Sequence, residues 1–205
     1  MNNTTASTNP SNKLQTPIPA IDLDEARYFL DLLAPGEEIT FQTFDDPRPG
    51  QPKRPGRAKV FHGTFDEHKN SLVELNSRGA GIFFMVNEGD GEIHEGERTC
   101  RTAGNVIRVR SLFADLDGSP LEPVRASTLH PNIIVNSSPG RWHAYWRVSG
   151  CSLTQFKPLQ DQLAAKFNSD PNVADLPRVM RMPGFLHQKE APFLTTVIFP
   201  LKEAA

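Results

Sequence analysis

Two strand-like runs, Asn132–Asn136 and Arg141–Val148, are separated only by Ser137-Ser138-Pro139-Gly140. So short a turn joins antiparallel neighbours, because parallel neighbours need a crossover of a dozen or more residues. The pair therefore reads as a hairpin, and a wholly parallel, doubly wound sheet is disfavoured. In the second strand Arg141, His143, Tyr145 and Arg147 share one face, and Trp142, Ala144, Trp146 and Val148 share the other. The second set reads as core. The first is a wall carrying two cations, an imidazole and a phenol.

Upstream, Val106–Gly118 is a β-rich apolar run that ends in Asp115-Leu116-Asp117-Gly118. Residues two apart in a strand point the same way, so both carboxylates share a face while Leu116 turns into the core. Two adjacent carboxylates repel unless a cation lies between them. Hard oxygen ligands suit Mg²⁺ or Mn²⁺, which makes this strand end a candidate metal and active site.

The other elements follow from periodicity. Residues 1–20 are rich in Asn, Thr, Ser and Pro and read as a disordered tail. Asp22–Leu33 has helical spacing and is stopped by Pro35-Gly36. Ile39–Phe44 and Lys59–Gly63 read as strands, joined by an exposed loop whose four prolines and basic residues could touch a polyanion. Asp66–Asn76 reads as a helix and Gly81–Asn87 as a buried strand. Glu88–Gly104 reads as a loop, and Ser119–Thr128 as a turn or short helix. Thr154–Phe167 forms an amphipathic helix with Phe156, Leu159, Leu163, Ala164 and Phe167 inward. Arg178–Met182 and Phe193–Pro200 supply two last strands. This mixed order, with hairpins and covering helices, points to an α+β fold.

Composition narrows the setting. Apolar runs are strand-length, so no membrane span is expected. The first residues have neither a basic nor an apolar region of the secretory kind. Cys100 and Cys151 are the only cysteines and form no C-x-x-C pair, so a zinc module or disulfide framework is not indicated and a cytoplasmic setting is the default. A net charge of −2 does not advertise a nucleic-acid binder. Between Arg141 and Lys189, however, seven Lys/Arg (141, 147, 157, 166, 178, 181, 189) stand against three Asp (161, 170, 175), enough for a local phosphate-holding surface.

Three stretches carry chemistry: Asp-Leu-Asp-Gly at 115–118, Ser-Ser-Pro-Gly-Arg-Trp-His at 137–143, and the run from Ser169 to Lys189 with Asp170, Asp175, Arg178 and Arg181. Each alone has a structural reading. Together they supply carboxylates for divalent ions and cations for a triphosphate, the requirements of nucleotidyl transfer.

From about Asp22 to Phe199 the chain resembles the archaeo-eukaryotic primase (AEP) superfamily. The resemblance is strongest to RepB-like primase domains of plasmids, phages and integrated elements, near the primase-polymerase branch. The first family motif, an acidic pair on a strand, matches Asp115 and Asp117; the second matches His143; the third, an Asp at a helix end, matches Asp170. Arg178-Val179-Met180-Arg181-Met182-Pro183-Gly184, followed by His187 and Lys189, looks like the stretch after that third motif. The resemblance implies an RRM-like antiparallel catalytic sheet joined to a smaller α/β lobe, with residues 21–104 in one lobe and 105–200 in the other, the whole domain spanning 21–205. It implies a DNA primase or primase-polymerase that holds metal at Asp115, Asp117 and Asp170. Ser138, Arg141, His143, Arg178, Arg181 and Lys189 would hold the NTP or dNTP. The implied partner is a single-stranded DNA template. Because no G-x-x-x-x-G-K-[ST] motif is present, the replicative helicase would be a separate chain or a further portion.

Two details depart from the pattern. Arg141 stands where the family has a small residue two before the histidine, so Ser137, Ser138 or the turn amides are candidates for that contact. Asp175 competes with Asp170 as third carboxylate, and Arg178 and Arg181 have opposite strand parity. Rival readings are a non-catalytic nucleic-acid-binding module with the same fold and a haloacid-dehalogenase-like phosphatase. The phosphatase shares Asp-x-Asp but needs a long Rossmann-like body after it. A rolling-circle endonuclease would need a His-x-His pair that the chain lacks.

Overall fold

The computed structural model describes residues 19–202. The expected tail falls almost wholly outside them. In chain order the elements are α1 (Leu23–Leu33), β1 (Ile39–Asp45), β2 (Lys59–Gly63), α2 (Phe65–Ser77), β3 (Ala80–Met85), β4 (Glu88–Gly89), β5 (Val106–Arg108) and β6 (Ser111–Leu116). Then follow α3 (Glu122–Arg125), β7 (Ile133–Ser138), β8 (Arg141–Arg147), α4 (Leu153–Phe167), β9 (Val179–Arg181), β10 (Leu186–His187), β11 (Phe193–Leu194) and β12 (Thr196–Phe199). The helix starts are set locally. Asp22 accepts from the Asp24 and Glu25 amides, while Thr64 with Glu67 and Ser152 with Gln155 form capping boxes.

Two four-stranded antiparallel sheets result, β2-β1-β3-β9 and β12-β7-β8-β6, with small ribbons β4-β5 and β10-β11. The elements of the second sheet follow one another as β-α-β-β-α-β, the chain order expected of an RRM-like unit. In space, however, the β7–β8 hairpin is central and β6 lies at one edge, where an RRM-like sheet has its first and third strands in the middle. Neither sheet is parallel, so there is no Rossmann-like body of the kind the phosphatase reading requires.

One core joins the sheets. The Phe29 ring of α1 meets Phe84 of β3 at 4.8 Å and Tyr145 of β8 at 5.7 Å, both edge-on. The opposite face of the second sheet packs on α3 and α4, where Trp146 stacks on Phe167 at 5.2 Å. Both faces of β8 are therefore covered. Tyr145, expected on the polar wall, is in fact core because the first lobe lies over that half of the strand.

The long strand expected over 106–118 is two strands. Arg110 is 3% exposed, its Nε 2.7 Å from Glu37 Oε2 and its Nη2 2.8 Å from the Glu38 carbonyl. A buried guanidinium needs those partners, so the chain turns at 109–110 and passes from the β4 ribbon to the second sheet. Ser137 and Ser138, expected in the turn, end β7 with a bulge, and Pro139-Gly140 alone makes the reversal. The lobes also interleave. β9 pairs with β3, so residues beyond 105 complete the first sheet.

α4 explains how the edge strand is closed. Leu159, expected inward, is exposed, and Gln160 takes the buried position at 1% exposure. Its Oε1 accepts from the Phe113 amide at 3.1 Å, and its Nε2 donates to the Phe113 carbonyl and, at 3.2 Å, to that of Val173. The side-chain amide thus replaces a neighbouring strand at the free edge of β6. Gln160→Leu is expected to leave these backbone groups unsatisfied and to lower stability by about 3 kcal/mol. A urea midpoint equal to wild type would remove Gln160 from this role.

Candidate active site

β6 ends at Leu116, buried in the outer core, and Gly118 at φ +87° turns the chain immediately after Asp117. Pairing of β6 with β8 sets Asp115 opposite His143, and pairing of β7 with β8 sets Ser138 opposite Arg141. These strand ends form one wall of a cleft of 210 Å³. The facing wall comes from β9 and the segment after it, with Arg181, His187 and Lys189, and Phe83 of β3 lies beneath. Carboxylates on one side thus face cations on the other.

Asp115 is 26% exposed on its side chain, with Oδ1 3.9 Å from His143 Nε2. Burial, and then the charges of Asp117 and Asp170, push its carboxyl up to about 6. Asp117 is more open and forms an ion pair with Arg141, Nε to Oδ1 at 2.7 Å. Burial, and then the charges of Arg181 and His187, hold His143 down to about 3, so its imidazole is neutral at pH 7 in this structure. Tyr145 is pushed well above its ordinary range by burial and keeps its proton. Its hydroxyl lies 3.3 Å from His143 Nδ1; the tautomer with its proton on Nε2 is the one in which the hydroxyl donates there. In that tautomer the pair makes a buried, neutral N–H donor beside a carboxylate.

Asp170 does not line the cleft. Its amide donates to the Asp115 carbonyl at 3.1 Å, on the same free edge that Gln160 covers, while its Oδ1 accepts from Asn172 at 2.9 and 3.0 Å. Its charge still reaches Asp115. Asp175 is taken by Arg178, with Nε to Oδ1 at 2.6 Å, and Arg178 also donates to the Asn172 carbonyl at 2.6 Å. Arg178 is therefore a loop-bracing residue beside the cleft and not part of its wall. The two arginines part company as strand parity requires, and no bulge unites them.

Arg181 is held in place. Its two terminal nitrogens meet both oxygens of Asp46 at 2.8 and 3.0 Å, and the guanidinium lies over the Phe83 ring at 4.7 Å. Asp46 Oδ2 also accepts from the Gln188 amide at 3.3 Å. His187 is buried, with no hydrogen-bond partner for Nε2 among the described residues, and burial and then Arg181 lower its pKa to about 4. Sequence reading assigned no role to Asp46, His187 or Phe83. Asp46 is 135 residues from Arg181, and no local pattern connects them.

Among the described residues, no three Asp, Glu, His or Cys side chains converge closely enough to hold a metal ion as they stand. The donor chemistry nevertheless fits a hard cation. The like charges of Asp117 and Asp170 reach Asp115, opposed by those of Arg178 and Arg141, and carboxylate oxygens suit such an ion.

Residues 97–195 match the model of the RepB DNA-primase N-terminal domain. In structure the chain is similar to the AEP domain of the cyanophage S-2L primase-polymerase, with a TM-score of 0.65 and 20% identity over 91% of this chain and 95% of that one. It is also similar to the catalytic domain of primase RepB′ in complex with initiator DNA, with a TM-score of 0.57 and 17% identity over 86% and 83% of the two chains. No curated protein matches it in sequence. The α+β fold is therefore that of AEP primase domains.

The raised carboxyl of Asp115 has a definite sign for stability. Between about pH 4 and pH 6 the folded chain holds a proton that the unfolded chain has released, so this group's contribution falls as pH rises through that window and stays low above it. Asp115→Asn should match wild type in stability near pH 4 and exceed it by roughly 1–3 kcal/mol above pH 6. Denaturation midpoints followed across that range provide the check; a constant difference would mean that repulsion at Asp115 is absent.

Proposed function

We propose that this chain, which carries a RepB-like DNA-primase domain of the archaeo-eukaryotic type, is a template-directed nucleotidyltransferase that synthesises primers on single-stranded DNA. The observation that carries the reading is the split of charge in one cleft: Asp115 and Asp117 on the β6 end face Arg181 and Lys189 across it. Such a cleft suits a nucleotide whose reacting phosphorus must lie between a carboxylate-bound metal site and a cationic phosphate site.

Asp115 and Asp117, with Asp170 beside them, are the residues that would hold Mg²⁺ or Mn²⁺. When bound there, these ions would lower the pKa of a primer 3′-hydroxyl and shield the departing pyrophosphate. The chain's own groups do the rest. His143 donates a neutral Nε2–H toward a phosphate oxygen, kept in that tautomer by Tyr145. Arg181 offers a guanidinium whose orientation Asp46 and Phe83 fix in advance, so little side-chain entropy is lost on contact with phosphate. Arg141 can exchange Asp117 for a phosphate oxygen at the hairpin mouth. Lys189 adds a mobile point charge at the far end, and Ser138 adds a hydroxyl. NTPs or dNTPs are the substrates, single-stranded DNA the template, and a separate helicase would open the duplex during replication of a mobile element.

Asp115→Ala and Asp117→Ala should each abolish labelled product from single-stranded templates in Mg²⁺ or Mn²⁺ while leaving the circular dichroism spectrum unchanged. Product at wild-type yield from either variant would refute the assignment and favour a binding module without catalysis. For His143, alanine should lower kcat/KM by about 10²-fold, as loss of a transition-state donor does. His143→Gln, which keeps a neutral N–H donor, should retain more activity than alanine; equal losses would assign His143 to packing.

A further inference from the structure

A second polar depression lies behind the cleft's cationic wall. It is lined by Arg48, Arg54, Arg57 and Arg78, together with Asp46 and Gln188, and encloses 260 Å³. We propose that it binds the phosphodiester backbone of the single-stranded template, carrying the strand away from the nucleotide cleft. This inference rests on the primase reading of that cleft and extends it to a surface in the first lobe.

The charge inventory comes first. The two carboxylates at the depression are already engaged. Asp46 holds Arg181 with both oxygens, and Asp45 holds Arg57 at 2.7 Å and the Arg54 amide at 2.6 Å. Burial works against the Asp45 charge, but these two donors outweigh it and keep its carboxyl below the usual range. Arg48 and Arg54 are exposed and face no carboxylate within ion-pair distance, and neighbouring Lys53 is exposed too. Arg57 is paired with Asp45 and Arg78 with Glu74, which leaves Arg48, Arg54 and Lys53 as a concentration of cations without an ion-pair partner among the described residues, in a chain of net charge −2.

The loop is also stiff. Pro47, Pro49, Pro52 and Pro55 restrict its backbone, and the Gln51 amide closes a turn on the Arg48 carbonyl at 3.0 Å. Thr43 Oγ1 donates to the Arg57 carbonyl at 2.6 Å, which ties the loop's end to β1. Arginines on a restrained loop lose less entropy on binding than arginines on a free one.

Position gives the direction. Gln188 lines this depression while its neighbours His187 and Lys189 line the cleft, and Asp46 bonds to residues on both sides. Asp46, which lines the depression, holds Arg181, which lines the cleft, so one ion pair joins the two sites. No aromatic ring lines the depression, so bases have nothing to stack on there. The contacts are to phosphates and therefore independent of base sequence.

The test is fluorescence anisotropy of a labelled single-stranded oligonucleotide, without nucleotides, across a KCl series. Arg48→Ala/Arg54→Ala should weaken binding roughly tenfold at low salt and reduce the slope of log K against log salt by about 1.4, at about 0.7 per lost single-strand phosphate contact. Mant-dATP binding with Mn²⁺ should be unchanged, since neither residue touches the cleft. Wild-type affinity and slope in the double variant would overturn the proposal, as would absence of oligonucleotide binding by wild type. Loss of mant-dATP binding along with DNA binding would overturn it too, by showing a general defect. Intact, salt-dependent binding by a wild-type protein that makes no primer would sink the primase reading and leave this surface standing.

Discussion

The free edge of β6 is where the fold and the chemistry make opposing demands. A strand that delivers two carboxylates to a cleft must end at the surface, yet its unpaired peptide groups cannot be left in a packed interior. The chain meets both demands without adding a strand. Gln160 reaches from α4 and bonds both peptide groups of Phe113, and the Asp170 amide bonds the next outward carbonyl, that of Asp115. One consequence is positional: the loop that closes the edge is the loop that carries Asp170. The third carboxylate stands beside the first because its own backbone completes the strand.

Electrostatics in the cleft follow from that arrangement. Burial, and then the charges of Asp117 and Asp170, raise the proton affinity of Asp115 against the opposing charges of Arg178 and Arg141. Opposite it, burial keeps His143 uncharged and Tyr145 protonated. The raised carboxyl of Asp115 lowers stability at neutral pH.

The cationic wall depends on a different long-range contact. Asp46, buried near the end of β1, fixes Arg181 of β9 and the backbone at Gln188. Through β9 the C-terminal part of the chain joins the first sheet, so both lobes shape one cleft. The same carboxylate borders the arginine-lined depression, which links the two polar surfaces physically.

Much of this was readable from the residues alone. The hairpin, the helices and the carboxylate strand end follow from helical spacing, period-two alternation and turn chemistry, which act between near neighbours; the pairing of His143 with the carboxylate strand came from the structure. Asp115, Asp117, Ser138, Arg141, His143, Arg181 and Lys189 do meet at one cleft. Tertiary structure decided the rest. Gln160 was hidden behind Leu159 because hydrophobicity ranks leucine inward, whereas the edge of β6 required an amide. Arg110 broke an apparently continuous strand because a buried guanidinium must follow its acceptors. Arg178 pairs with Asp175 outside the cleft lining, and Asp46 holds Arg181 in it from behind. Local periodicity specifies which way a side chain points; which charge or peptide group waits for it there depends on segments far away in sequence, and only packing brings those together.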